Sequence, residues 1–321
     1  MKSARLVSRR NIEFNDIPEP KLLNEKDILI DIKSMSICGS DILLEYDAEL
    51  SENEYPFLHG APMHECTGII LESNDSKFRI GDRVIVFPEN VNGMQEKLIS
   101  NSSRLVKLPE WGSLNDWVMC QPMGTALYSS KKWNNAINKN IAIIGQGPIG
   151  LTFTEIAEKQ GAINIVGIDL LDYRCTKSKE FGATNYINPN NENVLEKSMD
   201  ITKGKLFDVV VDASGNHKGL NTAVEIAKNE GQVISFSLVH PDEVLFNHRE
   251  WMKKNLQLNA TVVAATTKPI KEIEEVVNLA ERGWITPGKL RSHDMKFDEV
   301  KEAFEIYRQK KDNVIKIAIN F

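Results

Sequence analysis

From Asp27 to Ser73 the apolar positions come in short β-type runs, ILIDIKSMSI and TGIILES, divided by polar stretches. FRIGDRVIVFP adds a third run with Gly81-Asp82 as its turn. These runs predict a compact, mostly antiparallel β domain. After Pro122 the rhythm changes to strand, helix, strand: IAIIG over 141–145, a helix from Pro148 to Gln160, NIVGID over 164–169 and a helix from Tyr173 to Phe181. Such alternation predicts an α/β domain with a parallel, doubly wound sheet. It continues through ATNYIN, FDVVVDAS (207–214), a helix around Leu220 to Lys228, GQVISFS (231–237) and LQLNATVV (256–263). The total is six strands, the full complement of a dinucleotide-binding sheet. Apolar residues at Ile270, Ile273, Val277 and Ala280 then mark a helix, VKEAFEIYR a second, and the run NVIKIAINF is expected to fold back on the first domain. The expected organisation is a β domain of residues 1–125 with 263–321, and a nucleotide domain of 126–262.

Composition agrees with two domains, since 321 residues are too many for one comfortable core. The 39 basic and 45 acidic residues give a net charge of -6 with no block of one sign, which argues against a nucleic-acid partner. No apolar run approaches the ~18 residues of a membrane span, and the basic start MKSARLVSRR has no apolar stretch behind it. A soluble, cytoplasmic protein without membrane contact is expected. The four cysteines, Cys38, Cys66, Cys120 and Cys175, lack paired spacing, so each is expected to be reduced, and any with a task is a ligand or a nucleophile.

Gly145-Gln146-Gly147-Pro148-Ile149-Gly150 follows an apolar strand and opens a helix, the context that gives a glycine pattern meaning. Gly145 permits the tight turn, Gly147 lets backbone approach a pyrophosphate, Gly150 lets helix and strand pack closely, and Pro148 suits the first helical turn. The pyrophosphate would rest on the helix N-terminus, with Ile149 in the same turn. Asp169 ends the second strand, where a carboxylate accepts hydrogen bonds from ribose hydroxyls and repels a 2′-phosphate, so the cofactor expected is NAD. Arg174, the cation nearby, is placed to reach the adenosine side or a phosphate. His240-Pro241, after the fifth strand, is expected to border the nicotinamide, and Trp251 and Met252, in a helix, to serve packing or subunit contact.

In the first domain, Ser36-Ile37-Cys38-Gly39-Ser40-Asp41 ends a strand and Met63-His64-Glu65-Cys66-Thr67-Gly68 precedes the next. Alone, a Cys and a His so far apart say little. Together with the GDRV turn, the QPMGTAL segment, GQGPIG, Asp169 and DASG (212–215), they make a sequence that resembles the medium-chain dehydrogenase/reductase superfamily, the zinc alcohol, sorbitol and threonine dehydrogenases, nearly end to end. The resemblance implies a GroES-like catalytic domain beside a Rossmann domain. It implies one catalytic zinc on Cys38 and His64, with Glu65 beside it as an alternate ligand and Ser40 taking the substrate hydroxyl proton. The reaction implied is oxidation of an alcohol to a carbonyl, zinc lowering the alcohol's pKa and hydride passing to NAD. A polar secondary alcohol of polyol, sugar or amino-alcohol type and a homodimer or homotetramer are implied as well.

Three departures from the pattern stand out. Gln121 opens Gln-Pro-Met where sorbitol-like members have a glutamate as third ligand, and a neutral amide oxygen is a poorer zinc ligand. Cys120 is adjacent, either as a substitute ligand or as a buried thiol. Leu43 stands where many members have a histidine relay five residues after the ligand cysteine. FPENVNGMQEKL passes without cysteine through the place of the structural-zinc lobe, so no structural zinc is expected. These departures keep two rivals in view: a zinc-free reductase of the same fold, and a silent NAD-binding sensor.

Overall fold

The computed structural model describes every residue except 239–242, 263–267 and 269. It divides into two compact units, Met1–Gly124 with Ile273–Phe321, and Thr125–Glu272. The second boundary therefore lies at 272 rather than the expected 262, and one reason is local: Glu272 pairs with Lys131 of the second unit at 3.2 Å.

The first unit opens with an antiparallel hairpin of β1 (Lys2–Ser8) and β2 (Asn11–Asp16) that the sequence reading did not assign. There follow β3 (Asp27–Ser36), β4 (Glu65–Ser73), β5 (Arg83–Val86), β6 (Lys97–Asn101), β7 (Leu105–Lys107), a short α1 (Leu114–Trp117) and α2 (Cys120–Ser130). In the second unit strand and helix alternate through β8 (Asn140–Ile144), α3 (Pro148–Lys159), β9 (Asn164–Ile168), α4 (Asp172–Glu180), β10 (Asn185–Ile187), α5 (Val194–Thr202), β11 (Phe207–Asp212), α6 (Gly219–Ile226), β12 (Ala227–Ser235), α7 (His248–Lys253) and β13 (Gln257–Ala260). The chain then returns through α8 (Lys271–Glu281), β14 (Arg291–Lys296), α9 (Val300–Gln309) and β15 (Lys316–Asn320).

The second unit holds one parallel sheet in the order β10-β9-β8-β11-β12-β13. The order reverses between β8 and β11, the switch point at whose carboxyl edge a doubly wound fold binds its ligand. Each strand is too short to bury itself alone, so Val166, Ile168, Val210 and Val233 pack with Ala223, Val224 and Ile226 of α6 into a core under the helices. Trp251 of α7 packs on Phe246, and Met252 is 59% exposed.

In the first unit a mostly antiparallel sheet runs β14-β15-β3-β4-β5-β7, with β6 also on β3. Ile28, Ile30 and Ile32 of β3, Ile70 of β4 and Val84 of β5 meet Phe304 of α9 and Ile317 and Ile319 of β15 in its core. Because β15 runs antiparallel to β3 in the register Ala318↔Ser36, it brings Lys316 to the end of β3. The terminal run thus returns to the first unit as an interior strand.

Candidate functional site

Strand pairing brings the first set of residues together. β3 and β4 are antiparallel with Ser36 opposite Glu65, so the segment leaving β3 lies beside the segment entering β4. One ligand atom each of Cys38, His64 and Glu65 then converge within 4.8 Å of one another. Asp41 fixes this arrangement. Fully buried, it accepts a hydrogen bond from the Cys38 N–H at 2.8 Å on Oδ2 and faces His64 Nδ1 at 2.8 Å with Oδ1. A carboxylate on one ring nitrogen leaves Nε2 as the lone-pair donor of a neutral imidazole. The edge of Phe87 closes one side of the ring. Burial opposes a proton on this ring, but the charges of Asp41 and Cys38 outweigh it and hold the His64 pKa well above 6.5.

Glu65 is fully buried, and the sequence reading offered nothing to balance its charge. Lys316 does so: its Nζ donates to Oε1 at 2.7 Å, to Oε2 at 2.5 Å and to the Ile37 carbonyl at 2.7 Å. Burial works against the charged lysine, and Glu65 reverses the effect and pushes its pKa up. Glu45 also escaped notice. One of its carboxylate oxygens is buried without a hydrogen-bond partner, and burial followed by the charge of Asp41 raises its pKa to about 7, against the pull of His64.

The remaining expectations fall as follows. Ser40 is partly exposed and immediately precedes a π-helical turn of Asp41–Tyr46, in which Leu43 is half-buried. Gln121 is buried in the first turn of α2. Burial pushes the thiols of Cys120 and Cys66 up, so both are held as neutral core side chains. A thiol, an imidazole oriented by a carboxylate, and a carboxylate oxygen form a donor set that fits zinc. With Cys38 in this group, the chain's four cysteines leave too few for a separate four-cysteine metal lobe.

In the second unit the glycine turn has the shape a pyrophosphate needs. Gly145 has φ +87°, and a Cβ there would strike the Ala213 carbonyl. A Cβ on Gly150 would collide with the carbonyl oxygen of Gly145, so only glycine lets α3 approach β8 this closely. Gly147 is different: a Cβ there would meet only Arg174, at 3.5 Å. It caps α3 without a side chain, so the helix start, with Pro148, Ile149 and Gly150 in its first turn, presents free N–H groups. Asp169 follows β9 with Oδ2 accepting from Gln146 N at 2.7 Å and Oδ1 from Leu171 N at 3.0 Å, which fixes the carboxylate and leaves lone pairs for a ribose. Arg174 Nη1 stands 3.9 Å from Asp169, and its Nε donates to the Tyr173 hydroxyl at 3.1 Å. This open turn beside a fixed acid fits a dinucleotide. His240-Pro241 lies outside the described residues.

Comparison with known proteins bears on the family and the fold. The alcohol dehydrogenase GroES-like domain family matches residues 24–126, and the zinc-binding dehydrogenase family matches residues 148–282. An uncharacterised zinc-type alcohol dehydrogenase-like protein of Haemophilus influenzae is 26% identical, over 99% of this chain and 98% of its own. Sorbitol dehydrogenase of Bacillus subtilis is 25% identical, over 99% of this chain and 97% of its own. Among solved structures, 2R,3R-butanediol dehydrogenase of Bacillus subtilis has the same fold, with a TM-score of 0.87 at 23% identity, covering 100% of this chain and 99% of that one. The chain belongs to the zinc-type alcohol dehydrogenase family of the medium-chain dehydrogenase/reductase superfamily.

Proposed function

We propose that the protein is a zinc-dependent, NAD-linked dehydrogenase that oxidises a secondary alcohol of polyol, sugar or amino-alcohol type to a ketone. The observation that carries this reading is the convergence of Cys38, His64 and Glu65 within 4.8 Å, with Asp41 on the far nitrogen of the imidazole. Cys38 and His64 would hold the metal, with Glu65 and Gln121 as further oxygen donors. Bound zinc supplies Lewis-acid polarisation of the hydroxyl, and bound NAD the hydride acceptor. Ser40 takes the hydroxyl proton. Leu43 has no group to pass it on, so the proton would leave through water. The Gly147 N–H side of α3 would hold the pyrophosphate of the cofactor and Asp169 its ribose. Sorbitol dehydrogenases and D-xylulose reductases among the relatives support a polyol or sugar substrate.

The reading includes a homodimer or homotetramer in the cytoplasm. β13 ends the second unit's sheet, and among the described residues its outer edge is unpaired, with Leu258 exposed beside it, which suits a second copy. The cysteines are all unpaired, which suits a reducing compartment. The test is a panel of alcohols and sugars assayed for NAD reduction with zinc present, alongside metal analysis of protein purified without chelator. The expected result is one zinc per chain, lost in Cys38→Ala, and turnover of a polyol-like alcohol. Full activity without zinc would instead make the protein a metal-free reductase, and tight NADH binding without turnover a sensor.

A further inference from the structure

Residues Asp41–Tyr46 form a π-helical turn, in which Asp47 N donates to the Ile42 carbonyl at 2.9 Å, five residues back. Such turns are rare and occur where a chain must accommodate an extra residue between two fixed points. Both fixed points are visible here. At the start, Asp41 holds the Cys38 N–H and faces the His64 ring. At the end, Tyr46 is buried against Phe304 of α9 with ring centroids 4.9 Å apart, and its hydroxyl donates to Glu305 Oε1 at 2.9 Å. Glu305 is itself fixed by Arg308, whose Nε and Nη2 donate to it at 3.0 and 2.8 Å. That guanidinium holds the Glu305 pKa down at about 2, so the acceptor of the tyrosine hydroxyl stays ionised. Asp47, next in the chain, accepts from Arg10 Nε at 2.5 Å.

A helical turn of six residues is not stable by itself, because nucleation costs more than so few hydrogen bonds return. The helical residues just before it add little packing: Gly39 is exposed, and a Cβ there would touch nothing within 4 Å. The turn is therefore held from both ends, and Tyr46 supplies the anchor that lies outside the metal ligands. A shift there moves Asp41, and Asp41 sets both the Cys38 backbone and the orientation of His64.

We propose that Tyr46 and Glu305 are positioning residues for the candidate metal site, acting through the π-turn on Asp41 and so on the His64 ring. This rests on the metal site proposed above, but one arm of its test does not need the metal. Tyr46→Phe keeps the ring on Phe304 and deletes only the hydroxyl, and Glu305→Gln removes the charge that receives it. In both variants zinc affinity, measured by competition with a chromophoric chelator, should fall about tenfold, and the visible spectrum of the cobalt-substituted protein should change. In an Asp41→Asn background the same substitutions should bring no further loss, because the route through Asp41 is already broken. In metal-free protein the nitrogen–proton NMR signal of the His64 ring should exchange with water faster in Tyr46→Phe than in wild type. The proposal is overturned if Tyr46→Phe lowers the melting temperature while zinc affinity and ring exchange stay as in wild type, or if its loss multiplies fully with that of Asp41→Asn. A wild-type protein that binds no zinc would overturn the metal reading alone, and the ring-exchange comparison would still decide the role of Tyr46.

Discussion

Lys316 allows a carboxylate to sit without water beside the candidate metal ligands. Both partners of the Glu65–Lys316 pair are fully buried, so removing one leaves the other charged and unsolvated. Lys316→Met should therefore cost about 3–5 kcal/mol of stability, and the double variant Glu65→Gln with Lys316→Met should recover most of it, since no buried charge remains. Denaturant unfolding of the metal-free variants measures both. His64 gives a second expectation. Burial disfavours its charged form, yet Asp41 and Cys38 raise its pKa above that of an ordinary imidazole, so the metal-free ring holds its proton to higher pH than a free histidine does. Zinc takes the neutral ring, so binding releases that proton and affinity should rise with pH through the neutral range. Calorimetry in two buffers of different ionisation enthalpy tests this, and equal heats would contradict it. At this scale legibility was uneven. Cys38, His64 and Glu65 were readable because they stand in short motifs, and Asp41 stood in one of them with no role attached. Lys316 lies 251 residues from Glu65, and nothing local in the sequence marks which distant strand supplies a counter-ion.

The turn between β8 and α3 shows how one element assigns different work to residues of one kind. A methyl group on Gly150 collides with backbone, whereas on Gly147 it meets only the end of Arg174. Gly150→Ala should therefore lower the melting temperature of the protein, while Gly147→Ala should leave it near wild type and weaken NADH binding, as fluorescence titration would show. Asp169 stitches this turn to the next through the N–H groups of Gln146 and Leu171. Asp169→Ser should shift preference from NAD toward NADP by about 1 to 3 kcal/mol, read from the two Kd values, and a wild type that already prefers NADP would refute the assignment. The strands of this unit were legible because buried parallel strands are continuous apolar runs. The α5 helix was not assigned, although Asn193 caps it by accepting from Glu196 N, a signal present in the sequence as Asn-Val-Leu-Glu. Nothing in the sequence marks the π-turn, because six residues are too few to display a period.

At the scale of the molecule the division into two units was legible from the change of rhythm after Pro122 and from the terminal apolar run. The units divide at 272 where the sequence reading puts 262, in a segment whose composition does not distinguish them. That terminal run also sets an order in time. The second unit is continuous in sequence and can close while its own last residues are still leaving the ribosome. The first unit cannot, because β15 lies between β14 and β3 and carries the lysine that neutralises Glu65. During synthesis the residues around Glu65 must therefore wait for another 251 before their sheet and counter-ion exist. A chain halted after Lys310 should bind NADH, resist protease over residues 125–272, and neither hold zinc nor protect its first hundred residues. A metal site built on Cys38 and His64 would therefore mature only after β15 has been made, late in synthesis rather than when its own ligands emerge.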